Sequence, residues 1–150
     1  MLMDRSWIGR HIPHHGSMCL LDRVLGWDAV SIECLTRAHR AIDNPLRAHG
    51  RLGAACGIEF AAQAMAVHGA LLAPQLHLER RVGYLTSLRS IALHVERLDD
   101  VDADLVARAE RLTGDDSTIL YQFALSAGTR KLVTGRAAIV INPVAPADAD

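Results

Sequence analysis

The chain is 150 residues long and half of them are hydrophobic, which is one domain's worth of sequence and enough to bury a full core. Its 16 basic and 17 acidic residues nearly cancel, and no Lys/Arg cluster stands out, so a nucleic-acid surface is excluded as the basis of its function. Cys19, Cys34 and Cys56 show no paired spacing and read as free thiols in a reducing compartment. The first 13 residues lack the apolar stretch of a signal peptide, and no segment reaches the roughly 18 apolar residues of a membrane span. These features predict a soluble cytoplasmic protein.

In chain order, residues 1–16 read as irregular, with a short helix around Trp7 to His11 stopped at Pro13. Two strand-like runs follow, 18–27 and 29–38, parted near Asp28. Residues 40–53 hold Asn44-Pro45, Gly50 and Gly53 and read as a loop. The stretch 54–72 is too long for a strand and is rich in Ala, Leu and Met, which favour helix. Its apolar positions cover nearly the whole circumference, so it is predicted to lie buried.

After Pro74 the period changes to two, and 82–97, 103–113, 117–127 and 131–141 are predicted strands forming a meander. Ile119, Tyr121, Phe123 and Leu125 share one face of the third, and Gly114-Asp115-Asp116 and Gly128-Thr129 are hairpin signals. The tail, 142–150, reads as frayed. The whole is one α+β domain, with an antiparallel sheet of about six strands and one helix apolar enough to be wrapped by it.

On that helix the acidic and basic side chains are Glu59 and His68, with Gln63 one turn beyond Glu59 on the same face. A carboxylate among apolar neighbours is desolvated, which raises its pKa and suits it to proton transfer near neutral pH. A structural glutamate at the positive end of the helix dipole is the competing reading. The small residues Gly53, Ala54 and Ala55 leave backbone N–H groups at the helix start open to close approach, as an oxyanion needs. His49, in the loop feeding the helix, either faces Glu59 or is a solvated loop histidine. His11, His14 and His15 lack the companion ligands of a zinc site, so no metal is predicted. No GxSxG is present, and Gly50-x-x-Gly53 lacks the Lys and Ser/Thr of a phosphate-binding loop.

The run Ile12-Pro13-His14-His15-Gly16-Ser17-Met18-Cys19-Leu20-Leu21-Asp22-Arg23-Val24 resembles the opening motif of the FabZ-type 3-hydroxyacyl-ACP dehydratases, a hotdog-fold family. Gly57-Ile58-Glu59-Phe60-Ala61-Ala62-Gln63-Ala64 resembles that family's helix motif, and Asn44-Pro45-Leu46 the segment before its catalytic histidine. The likeness runs from residue 12 to about residue 141 and is nearest to the dehydratase-like proteins of aryl-polyene clusters.

The resemblance implies a hotdog dimer, homo- or heteromeric, that takes an acyl carrier protein or CoA thioester in fatty-acid or polyene biosynthesis without a cofactor. It implies His49 as base and Glu59 as acid, the two taken from different subunits, and Gln63, Ala54 and Gly57 at the substrate, Ala54 near the oxyanion donor. His14 and His15 fall at a position read as N-terminal packing or rim. The family's His-Phe-Pro-Gly loop is shortened here to Ala48-His49-Gly50-Arg51. Two alternatives therefore stand beside dehydration: a hotdog acyl thioesterase, and a non-catalytic acyl-binding partner of an active hotdog subunit.

Overall fold

A computed structural model describes residues 2–14, 16–75, 81–115 and 117–143. The N-terminal helix α1 (Arg5–His11) is capped by Asp4, whose carboxylate accepts the Trp7 N–H at 3.0 Å, and it is anchored by the buried Ile8. A single 3-10 turn, Gly16–Met18, leads to the hairpin β1 (Arg23–Trp27) and β2 (Ser31–Thr36). The first strand thus starts five residues later than predicted, because 16–18 turn instead of extending. Asp28 makes the hairpin bend by accepting the N–H groups of Val30 and Ser31 at 2.8 and 2.7 Å.

The central helix α2 (Gly57–Gln75) is preceded by the 3-10 turn Ala54–Cys56. It carries Pro74 in its last turn, where the predicted helix had already stopped. Phe60, Ala61, Ala64, Val67 and His68 are fully buried, as the all-round apolar pattern requires. By length and composition alone 54–74 could cross a membrane, but here it packs against the sheet.

Four long strands follow: β3 (Arg81–Leu93), β4 (Leu105–Gly114), β5 (Thr118–Ala127) and β6 (Arg130–Pro143). All neighbours pair antiparallel, in the order β1-β2-β4-β5-β6-β3. Only β4, β5 and β6 form a meander. The chain leaves β3 at one edge, crosses through 94–104 and re-enters beside β2. Strand β6 continues through 142–143, which were assigned to the tail; 144–150 lie outside the described residues.

Ile119, Tyr121, Phe123 and Leu125 are buried as a set, and with Leu105, Ala107 and Ala109 of β4 and Ile32 and Cys34 of β2 they form the core against α2. Gly57 shows how close the packing is, since a Cβ there would sit 2.9 Å from Leu125 Cδ2 and 3.0 Å from Val133 Cγ2. A six-stranded antiparallel sheet curled about one long helix is the hotdog fold.

The crossover also fixes the helix start. Ala54 N–H donates to Glu96 O at 3.1 Å, Leu98 N–H to Leu52 O at 2.8 Å, and Leu52 N–H to the Asp99 carboxylate at 2.9 Å. The Arg97 guanidinium beside Asp99 holds that carboxyl well below the usual carboxylate range.

Candidate functional site

Glu59 lies in the first turn of α2, and its side chain keeps 34% exposure. The apolar burial that the sequence suggested for this carboxylate is therefore only partial: the helix is buried, but its first turn opens at the rim of the sheet. Gln63, one turn on, is fully buried and makes three hydrogen bonds. Its amide nitrogen donates to Met18 O at 2.7 Å and to Glu59 Oε1 at 3.2 Å, and its oxygen accepts the Leu20 N–H at 2.9 Å. Thr36 Oγ1 donates to Leu20 O at 2.6 Å. Gln63 thus ties α2 to 18–20 and orients Glu59 from behind.

The fixed segment brings in a residue that the sequence reading had set aside. From Met18 the chain runs back through the turn at Gly16, whose φ of +60° suits glycine, to His14. His14 Nε2 lies 3.1 Å from Glu59 Oε1, and its side chain is 27% exposed. Among the described residues its buried Nδ1 has no hydrogen-bond partner, and the same holds for the buried His39 Nδ1. His14 therefore stands at the rim, in contact with Glu59. The Pro-His-x-Gly text was the available signal, but a contact across 45 positions has no local signature.

The other predicted residues are not at hand in the same way. His49 stands at the exposed tip of a tight turn closed by Ala48 N–H to Arg51 O at 2.9 Å. Its φ of +54°, followed by Gly50 at +76°, gives the turn a left-handed backbone. Within the subunit no hydrogen bond or ion pair joins His49 to Glu59. The Ala54 N–H, expected as an oxyanion donor, is spent on Glu96. Gly57 is buried against Leu98, Leu125 and Val133 rather than facing the rim.

A second histidine pair lies deeper on α2. His68 is fully buried: its Nε2 meets Asp28 O at 2.8 Å and its Nδ1 meets Tyr121 Oη at 2.8 Å. A carbonyl can only accept, so Nε2 carries the proton and Nδ1 accepts from the tyrosine hydroxyl. Burial lowers the His68 pKa and pushes Tyr121 up to about 12.

Cys19, Cys34 and Cys56 are free thiols, and burial raises Cys34 to about 12, away from thiolate chemistry. Among the described residues no three His, Cys, Asp or Glu side chains converge as metal ligands.

Comparison with known proteins bears on the family and the fold. The family model for ApeP-like proteins, described as ApeP dehydratase, matches residues 7–149. No curated protein sequence matches the chain. A solved structure of the dehydratase heterocomplex ApeI:P from Xenorhabdus doucetiae superposes with a TM-score of 0.80 at 21% identity, over 95% of this chain and 93% of that one. A thioesterase from Pseudomonas aeruginosa, solved as a mutant, aligns at TM-score 0.59 and 13% identity over 81% of each chain. A thioesterase from Haemophilus influenzae gives 0.59 and 11% over 81% of this chain and 78% of that one. These likenesses establish the shared fold.

Proposed function

Since this chain belongs to the ApeP-like dehydratase family, we propose that it eliminates water from a 3-hydroxyacyl thioester, presented by an acyl carrier protein or as a CoA ester in the cytoplasm. The observation that carries this reading is the placement of Glu59, a carboxyl at an open rim beside a helix start, steadied by Gln63 and within 3.1 Å of an imidazole. Elimination needs a base at C2, an acid at the 3-hydroxyl and a donor at the thioester carbonyl, and it needs no cofactor. Glu59 supplies the acid and a histidine the base. With Ala54 N–H engaged, the donor falls to the N–H of Ala55, the next residue and an exposed one. Gln63 and Gly57 support the site from behind rather than touching the acyl group.

The protein works with a second hotdog subunit. β3 ends the sheet and shows Tyr84, Leu85 and Leu88 to solvent, the kind of edge a partner strand covers. The similar solved structure is a dehydratase heterocomplex, ApeI:P, which supports a heteromeric partner here.

The test is to supply a 3-hydroxyacyl thioester of acyl carrier protein to the chain alone and with a hotdog partner. A 2-enoyl product is expected. Free thiol without enoyl product would instead indicate thioester hydrolysis, and activity of the partner with no contribution from Glu59 would indicate a non-catalytic subunit.

A further inference from the structure

We infer that Asp99 is a positioning residue for the reaction, holding the start of α2 so that the Ala55 N–H is presented to the thioester carbonyl. The inference rests on the dehydratase reading and deepens it, because it names what sets the oxyanion donor and finds it outside the helix, in the 94–104 crossover.

Three observations carry it. First, from 54 to 57 one backbone N–H is left over. Ala54 N–H goes to Glu96 O at 3.1 Å, Cys56 N–H to Gly53 O at 3.1 Å, and Gly57 N–H back to Ala54 O and Ala55 O. Among the described residues Ala55 N–H has no acceptor, and Ala55 is exposed where Ala54 and Gly57 are buried. Second, Asp99 makes the outer rung of the ladder that holds this turn. Gly53 and Arg97 form an isolated antiparallel bridge, flanked by the Ala54 bond and by Leu98 N–H to Leu52 O at 2.8 Å. Leu52 N–H lies beyond the last backbone rung, and Asp99 Oδ1 accepts it at 2.9 Å. Leu52 is fully buried, so bulk solvent does not reach this N–H in place of Asp99.

Third, the carboxylate is itself held. Arg97 Nε donates to the same Oδ1 at 3.0 Å, and Arg97 Nη2 donates to Oδ2, a two-pronged contact that fixes the plane of the carboxylate. The guanidinium also keeps Asp99 ionised, so the acceptor is present at every working pH. Asp99 is 8% exposed. Asp102 and Asp104 of the same crossover pair instead with Arg37 and Arg40, and neither bonds to the helix start.

During elimination, negative charge grows on the thioester carbonyl oxygen as the C2 proton leaves, and it drains as the C3–O bond breaks. A donor lowers that barrier when it is already aimed at the oxygen. Ala55 is three residues past Leu52, so a slip at Leu52 carries the 54–56 turn with it. A misplacement of about 1 Å can cost on the order of 10²-fold in rate. Asp99 touches no substrate; it acts through Leu52 and the turn.

The test measures kcat, KM and Tm on a 3-hydroxyacyl thioester of acyl carrier protein, in whichever assembly turns it over. Asp99→Ala is expected to lower kcat by about 10²-fold with KM nearly unchanged. Asp99→Glu keeps the charge but moves the carboxylate by one methylene, and is expected to lose turnover while Tm stays near wild type. Asp99→Asn still offers an oxygen to Leu52 N–H and is expected to keep most of the turnover. Arg40→Ala loosens the crossover away from the helix start and is expected to keep wild-type kcat. Normal turnover in both Asp99→Ala and Asp99→Glu, an equal loss in Asp99→Asn, or an equal loss in Arg40→Ala overturns the inference and leaves the dehydratase reading intact. A wild-type protein that forms no enoyl product in any assembly defeats the reading, and the inference with it.

The carbonyl reports the same contact without turnover. A 3-hydroxyacyl thioester labelled ¹³C at the carbonyl and bound to Glu59→Gln protein is expected to show a lower C=O stretching frequency than the free ester. Adding Asp99→Glu should move the band back toward the free value. A role confined to stability leaves the band in place, and that result overturns the inference.

Discussion

Two histidines meet α2 in two different ways. His68, mid-helix, is fully buried and has both ring nitrogens engaged, one by Asp28 O and one by the Tyr121 hydroxyl. His14 approaches the first turn from another segment, stays partly exposed and sets Nε2 beside the Glu59 carboxyl. The first arrangement locks the β1–β2 bend, the helix and β5 together. The second leaves an imidazole and a carboxyl group in contact where solvent can reach both. Residue type does not separate these two histidines; their burial and the hydrogen bonds each makes do.

The comparison is broken most sharply at the rim. Glu59→Gln keeps the side-chain shape and a partner for Gln63 but removes the acid, so turnover should fall by about 10²–10⁴-fold. Thermal stability should stay near wild type, because Glu59 is partly exposed. Paired measurements of kcat and Tm check this, and an equal loss in both would place Glu59 with the structural residues. At the buried site the signature reverses. His68→Ala strands the Tyr121 hydroxyl and Asp28 O and opens a cavity, for a loss of about 3 kcal/mol in urea denaturation. Gly57→Ala sharpens the same contrast near the site itself. The new methyl meets Leu125 and Val133 at about 3 Å, and overpacking of this kind costs about 1–3 kcal/mol.

How far the sequence foretold these regions follows from the range of the interactions. The α2 core was legible because its apolar positions repeat locally, and the buried face of β5 because Ile119, Tyr121, Phe123 and Leu125 alternate. Glu59 and Gln63 were legible as a pair because four residues of helix always place side chains on one face. The placement of β3 beside β6 was not, since strand order depends on which edge the 94–104 crossover reaches. The His14 contact was hidden for a related reason. It depends on the turn at Gly16 and on Gln63 gripping 18–20, neither of which leaves a periodic trace. His49 was legible only by its place in the loop before the helix; the left-handed turn 48–51 holds it exposed, and within one subunit nothing joins it to Glu59.

The smallest effects probe the tyrosine and the protonation of His68. Tyr121→Phe removes the hydroxyl that satisfies His68 Nδ1 and should cost about 1–2 kcal/mol with little change in turnover. The pH dependence follows from the sign of the shift. Burial lowers the His68 pKa in the folded state, and His39 is lowered for the same main reason. The unfolded chain therefore takes up protons first as the pH falls below about 6.5, and stability declines from there until the folded-state pKa values are reached. Above that window these two histidines contribute no slope. Each can add at most about 1.4 kcal/mol per pH unit within it. Urea midpoints measured between pH 8 and pH 5 should thus fall only on the acid side. In His68→Gln the fall should be shallower, because only His39 of this pair is left to drive it; an undiminished slope would mean that His68 does not hold its neutral form in the core.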